Sequence, residues 1–197
     1  MAYGTAAIDT INTSGNLTVT GNVIVSGNSD LFVSGSQVEP LVLGTAQAST
    51  SGTSIDFTGI PSWVKRITIM YSGVSTSGTS NWLVQLGDSD GVENTGYLGV
   101  GTFLGATVAG SNYTAGFGFS VGGAGHVLHG TVVLTLLSSS AYTWTCAGSL
   151  GGTGGAAGYI YSTTGAKSLT GTLDRVRLTT VNGTDTFDAG SVNILYE

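Results

Sequence analysis

Gly15-Asn16-Leu17-Thr18-Val19-Thr20 is followed at once by Gly21-Asn22-Val23-Ile24-Val25-Ser26 and by the stretched copy Gly27-Asn28-Ser29-Asp30-Leu31-Phe32-Val33-Ser34, a repeat with matching positions six and then eight residues apart. Both spacings are even. In an extended chain Leu17, Val19, Val23, Val25, Leu31 and Val33 therefore share one face. Asn16, Thr18, Thr20, Asn22, Ser26, Asn28 and Asp30 take the other, with Ile24 and Phe32 as exceptions. So narrow an apolar stripe has nothing of its own to pack on, and a repeat unit needs neighbours to bury such a face. The simplest neighbours are other copies of the same chain wound about a common axis, with those six side chains between them.

The remainder reads differently. At 197 residues the chain accommodates one domain of ordinary size plus an appendage. Gly, Ser and Thr make up roughly two fifths of it, far from ordinary globular usage. A hydrophobic content of 41% and recurrent Val/Ile/Leu/Tyr alternation nevertheless argue against disorder. The net charge of -6 disfavours nucleic acid as a partner, because phosphate binding needs clustered Lys and Arg, and only Lys65-Arg66 and Arg175/Arg177 approach that. Between Glu93 and Lys167 lie 73 residues without a single Asp, Glu, Lys or Arg. Soluble surfaces ordinarily keep charge. Either much of this stretch is buried against partner subunits, or Ser, Thr, Asn and Gly alone keep it wet.

Residues 1–14 read as an N-terminal anchor segment, 15–39 as a β-repeat shaft and 40–197 as a head, with Pro40 at the break. Strands are predicted at 41–47, 53–58, 63–72, 82–86, 97–104, 113–121, 126–137, 141–149, 158–162, 173–181 and 191–196, separated by Gly, Ser, Asn and Asp clusters. Ile67, Ile69 and Tyr71 share a face, as do Leu128, Val132, Leu134 and Leu136, then Val176 and Leu178, then Val192, Ile194 and Tyr196. No segment carries a helical period, so the fold class is all-β, an antiparallel β-sandwich head behind a short repeat. No signal peptide is apparent, and no apolar run approaches a transmembrane helix, so no membrane insertion is expected.

Chemistry is sparse. Asp88-Ser89-Asp90-Gly91-Val92-Glu93 could converge carboxylates on Ca²⁺, making Asp88, Asp90 and Glu93 the candidate metal ligands. The same residues describe a plain hairpin turn. His126 and His129 stand at an odd separation, which sends them to opposite faces of one strand. Cys146, the single cysteine, shares a strand face with Trp144 and Tyr142 and reads as a small buried apolar residue. No nucleophile elbow, acid pair or phosphate cradle is recognisable, so neither catalytic residues nor a cofactor is expected.

Repeats of the type Gly-Asn-Leu-Thr-Val-Thr-Gly-Asn resemble the shafts of tailed-bacteriophage fibre proteins, in which three chains wrap together. The stretch from Gly44 through Ile55-Asp56-Phe57-Thr58-Gly59-Ile60-Pro61-Ser62-Trp63-Val64 to Thr68, with the ending Gly171-Thr172-Leu173-Asp174-Arg175-Val176-Arg177-Leu178-Thr179-Thr180 and Phe187-Asp188-Ala189-Gly190-Ser191-Val192-Asn193-Ile194, is similar to a C-terminal module of phage tail-fibre and virion proteins. The resemblance implies a non-enzymatic, intertwined homotrimer on the virion surface, made in the host cytoplasm. Its jelly-roll-like head would contact a host receptor or glycan, with Tyr113, Tyr159 and Tyr161 as contact residues or ordinary packing, and its N-terminal segment would bind other virion proteins. The alternative is a capsid decoration or cement protein.

Overall fold

The computed structural model describes residues 39–105, 107–121, 123–153 and 158–197 in full, and the backbone of residues 32–33 and 36–37. The chain divides into two compact units, Met1–Val38 and Glu39–Glu197. In the first, β1 (Phe32–Val33) pairs antiparallel with β2 (Ser36–Gln37), Val33 opposite Ser36.

The second unit is built wholly of strands: β3 (Val42–Leu43), β4 (Gln47–Ala48), β5 (Ser54–Thr58), β6 (Arg66–Thr76), β7 (Trp82–Asp88), β8 (Gly91–Glu93), β9 (Leu98–Leu104), β10 (Val108–Tyr113), β11 (Phe117–Phe119), β12 (Val127–Ser138), β13 (Thr143–Thr153), β14 (Tyr159–Ser168), β15 (Arg175–Thr180) and β16 (Phe187–Tyr196). They form two antiparallel sheets. The larger runs β10-β9-β14-β13-β12-β6-β16, with β3 and β4 both on the far side of β16; the smaller runs β11-β7-β15-β5, with β8 beside β7.

Side-chain alternation explains why the sheets share a core. Ile67, Ile69 and Tyr71 of β6, Leu128, Val132 and Leu134 of β12, and Val192 and Ile194 of β16 point inward from the larger sheet. They meet Val84 and Leu86 of β7, Phe117 and Phe119 of β11, and Val176 and Leu178 of β15. Each such side chain contributes about 1.5–3 kcal/mol on burial, which is what fixes the strand faces. Leu136 and Tyr196, expected on the same faces, end half-buried at the rim. Trp144 and Cys146 are buried together, and burial pushes the Cys146 thiol pKa up.

Two departures from simple alternation have local causes. In β6 the inward face passes from Tyr71 to Val74, an odd step, because a bulge at Ser72-Gly73 inserts one residue against both β12 and β16. Gly73 carries φ +68° there, a conformation that glycine adopts without strain. The predicted strand 113–121 is in fact two. Tyr113 ends β10 in one sheet, 114–116 cross over, and β11 begins in the other sheet. Glycines permit that crossing: a Cβ at Gly101 would sit 2.3 Å from the Gly118 carbonyl oxygen, and one at Gly118 would sit 2.2 Å from Tyr113 Cγ.

Candidate interaction surface

The acidic hairpin is a turn between β7 and β8, with Asp88 opposite Gly91 and the Asp90 amide donating to Asp88 Oδ1 at 3.0 Å. Asp88 and Glu93 do come together, on a common donor: Thr170 Oγ1 lies 2.8 Å from Asp88 Oδ2 and 2.9 Å from Glu93 Oε1. The Thr170 amide also donates to Glu93, at 2.7 Å. The cation in this cluster is the protein's own. Lys167, 6% exposed, forms an ion pair with Glu93, donates to the Ser168 carbonyl at 2.8 Å and stands over the Tyr97 ring. Asp90 contributes only its backbone to these contacts, and among the described residues no three His, Cys, Asp or Glu side chains form a metal-ligand set.

The electrostatics follow from these bonds. The hydrogen bond from Thr170 holds the Asp88 carboxyl below the usual range despite desolvation. Burial pushes Glu93 upward, yet the hydrogen bonds from Lys167 and Thr170 together outweigh it and the carboxyl also stays low. Tyr97 is displaced the other way by burial, and its hydroxyl accepts from the Leu86 amide at 2.6 Å. The result is a tie between β8, the end of β14 and the loop after it.

Of the three tyrosines read as contact residues or as ordinary packing, two are core residues. Tyr161 is fully buried, its hydroxyl sharing a hydrogen bond with His126 Nδ1. Tyr113 is 8% exposed, its ring laid over Gly118 and its hydroxyl 3.0 Å from Ser120 Oγ. Both occupy inward strand positions, where an aromatic ring gains more from the core than from solvent. Tyr159 is half-buried, stacked on His126 with centroids 4.9 Å apart and tilted against Phe103. His129 faces outward, and its Nδ1 accepts from the Gly73 amide of the bulge at 3.0 Å. Leu17, Val19, Val23, Val25 and Leu31 lie outside the described residues, as does the side chain of Val33.

Charge is spread unevenly over the two sheets. On the outward face of the smaller sheet Arg177 makes a bidentate pair with Asp56, its neighbour in register across β15 and β5, and Arg175 pairs with Asp174. Arg175 and Arg177, one of the two basic pairs in the sequence, are thus each engaged by a carboxylate. On the larger sheet the exposed charges sit on β6 and β16, at Arg66 and Asp188, and the outward positions of β9, β10, β12, β13 and β14 carry none. Leu98, Val100, Thr102 and Leu104 of β9 lie beside Ile160, Ser162, Thr164 and Ala166 of β14, then Thr145, Ala147 and Ser149 of β13, then Thr131, Val133 and Thr135 of β12. Arg66, paired with Glu197, stands on β6 at the far corner. Apolar side chains are left in water on this face, with Leu98 78% and Val108 74% exposed.

A concavity of about 430 Å³ opens between β5 and the β3–β4 edge, lined by Gln47, Asp56, Phe57, Ile60, Ile194 and Tyr196. Gln47 Nε2 donates to the Asp56 carbonyl within it at 2.7 Å, occupying an acceptor on the exposed edge of β5. No protein-family model matches the chain, and neither a curated protein nor a solved structure does.

Proposed function

We propose that the chain is a non-enzymatic surface protein of a bacteriophage virion, a short homotrimeric fibre whose repeat winds three copies together and carries a head that meets a host receptor or glycan. The observation that carries this reading is the division of the chain: an all-β unit with its own core, Glu39–Glu197, follows a repeat whose apolar stripe can be covered only by neighbours. The likeness of the repeat and of the stretches 44–68 and 171–194 to phage fibre sequences supplies the biological setting. In this reading the head is a jelly-roll-like sandwich and the N-terminal segment binds other virion proteins.

A capsid decoration protein is the second reading, and a specific observation favours it. With Tyr113 and Tyr161 in the core, two of the three candidate side chains for gripping a host surface are committed to packing instead. Imaging particles labelled at the C-terminus distinguishes a tail position from a capsid face.

Replacing Val19, Val25 and Val33 together by Asp places three carboxylates per chain beside the common axis, and an uncompensated buried charge costs several kcal/mol. Sedimentation should then give monomer in place of trimer. A trimer that survives the triple substitution removes the repeat as the element that joins the copies.

A further inference from the structure

We propose that the outward face of the larger sheet over β10, β9, β14, β13 and β12 is an interface between copies of this chain, packed around their common axis, with Leu98, Val100, Leu104, Val108 and Ile160 as its apolar patch. The inference rests on the preceding reading, that the copies are gathered by the repeat.

Three properties of the face select a second copy as its occupant. The first is area. The five charge-free strands at about 4.8 Å and some seven residues at about 3.3 Å span about 24 Å by 23 Å, about 550 Å² on each copy, so two such faces together clear the roughly 1,000 Å² that a specific interface needs. The second is charge. The chain as a whole carries -6, so copies repel one another through most of their surface. The outward positions of β9, β10, β12, β13 and β14 hold no Asp, Glu, Lys or Arg, so here identical surfaces meet without that repulsion. A differently charged partner would find nothing on this face to pair with. The third is relief: Gly110, Ala147, Ser149, Ser162 and Ala166 are small, so neighbouring sheets can close in around the axis while the larger apolar side chains interdigitate. Exposed apolar clusters of this kind are rare on proteins that work as monomers. Tethering by the repeat raises the effective concentration of heads into the millimolar range, so even a weak contact closes.

Cys146 is buried, so a single introduced cysteine reports its own accessibility. The full-length chain is prepared as Val100→Cys, Val108→Cys and, as a reference, Val181→Cys, which is 56% exposed away from the face. Reaction with a maleimide is followed beside sedimentation, and each variant is repeated in the Val19→Asp/Val25→Asp/Val33→Asp background. The expected result is a trimer in which the thiols at 100 and 108 react at least about tenfold more slowly than the thiol at 181, and a dissociated variant in which all three react alike. A trimer whose thiols at 100 and 108 react as fast as that at 181 overturns the interface and leaves the shaft standing. Slow reaction that persists after dissociation also overturns it, since the protection would then be internal to one head. A wild-type chain that sediments as a monomer at all concentrations removes both readings.

Discussion

Lys167→Met withdraws the cation from the Asp88–Glu93–Thr170 cluster while keeping a side chain of similar length in the same slot. Breaking a buried ion pair by removing one partner costs about 3–5 kcal/mol when the remaining charge is stranded. Glu93 is not wholly stranded: it is 18% exposed and retains both donors from Thr170, at 2.7 and 2.9 Å. That lowers the penalty to about 2 kcal/mol, and the Ser168 carbonyl, deprived of the Lys167 ammonium, adds about 1 kcal/mol. The expected loss is about 3 kcal/mol in urea unfolding. Tryptophan fluorescence suits the measurement, because Trp144 lies directly opposite Lys167 in the β13–β14 register.

A second substitution separates charge from packing. Glu93→Gln in the Lys167→Met background replaces the unpaired carboxylate by an amide that still accepts from Thr170, and should restore about 1–2 kcal/mol. In wild type the same Glu93→Gln change removes a partner from Lys167 and should be destabilising. The opposite signs are the test. A Lys167→Met protein within about 0.5 kcal/mol of wild type, or a Glu93→Gln change of the same sign in both backgrounds, would refute the view that this ion pair ties β8 to the end of β14.

Gly118→Ala should destabilise by about 2–3 kcal/mol, because the new methyl would meet the Tyr113 ring 2.2–2.4 Å away; in a Tyr113→Ala background the added cost of Gly118→Ala should shrink. At Gly73, where φ is +68°, alanine should cost about 1 kcal/mol from backbone strain, since its Cβ would find no contact closer than 3.7 Å. Stability should fall at both ends of the pH scale, as read by thermal unfolding. Asp88 and Glu93 are held low in the folded protein, so their contribution is complete above the ordinary carboxylate range and disappears as pH drops below about 4. Cys146, Tyr97 and Tyr71 are held high by burial, so their contribution is complete below about pH 8.5 and erodes as pH rises beyond it. A flat profile at either extreme would contradict the corresponding set of groups.

What could be read from the chain alone was whatever alternates. The faces of β6 up to Tyr71, and of β12, β15 and β16, follow from period-two spacing because one side of each strand is paid for by the core and the other is wet. The second half of β14 escaped notice for the converse reason. Its inward residues Thr163, Gly165 and Lys167 are not apolar, and at Gly165 there is no room for a larger residue: a Cβ there would sit 2.5 Å from the Leu98 carbonyl of neighbouring β9 and 3.0 Å from the Phe117 ring of the smaller sheet. β10 has five exposed residues in six and no pattern to read. The link between Glu93 and Lys167 joins positions 74 apart in sequence and becomes visible only when the strand register is known. Contact and packing are equally open for Tyr113 and Tyr161 in the sequence, because Gly- and Ser-rich surroundings fit loops as well as strands; here those glycines are thin places against which a tyrosine ring can lie.

The charge gap shows how a one-dimensional feature acquires a physical meaning. Residues 94–166 could have been scattered over both sheets, leaving neutral patches everywhere and a neutral face nowhere. Antiparallel hairpins confine that scattering to the short β11, because strands consecutive in sequence become neighbours in space: β12, β13 and β14 follow one another, and β9 and β10 close on β14 from the other side. Five adjacent strands thus draw almost all their residues from the uncharged interval, and only Lys167 and Ser168 at the end of β14 lie beyond it. That lysine points inward, to Glu93. The one charge these strands carry is thereby taken off the outward face. A single outward Lys or Glu on any of them would be well solvated on an isolated head, so solubility alone supplies no reason for a whole face to lack charge. Burial against a surface equally free of charge supplies one, since each ion left there would have to be desolvated without a partner.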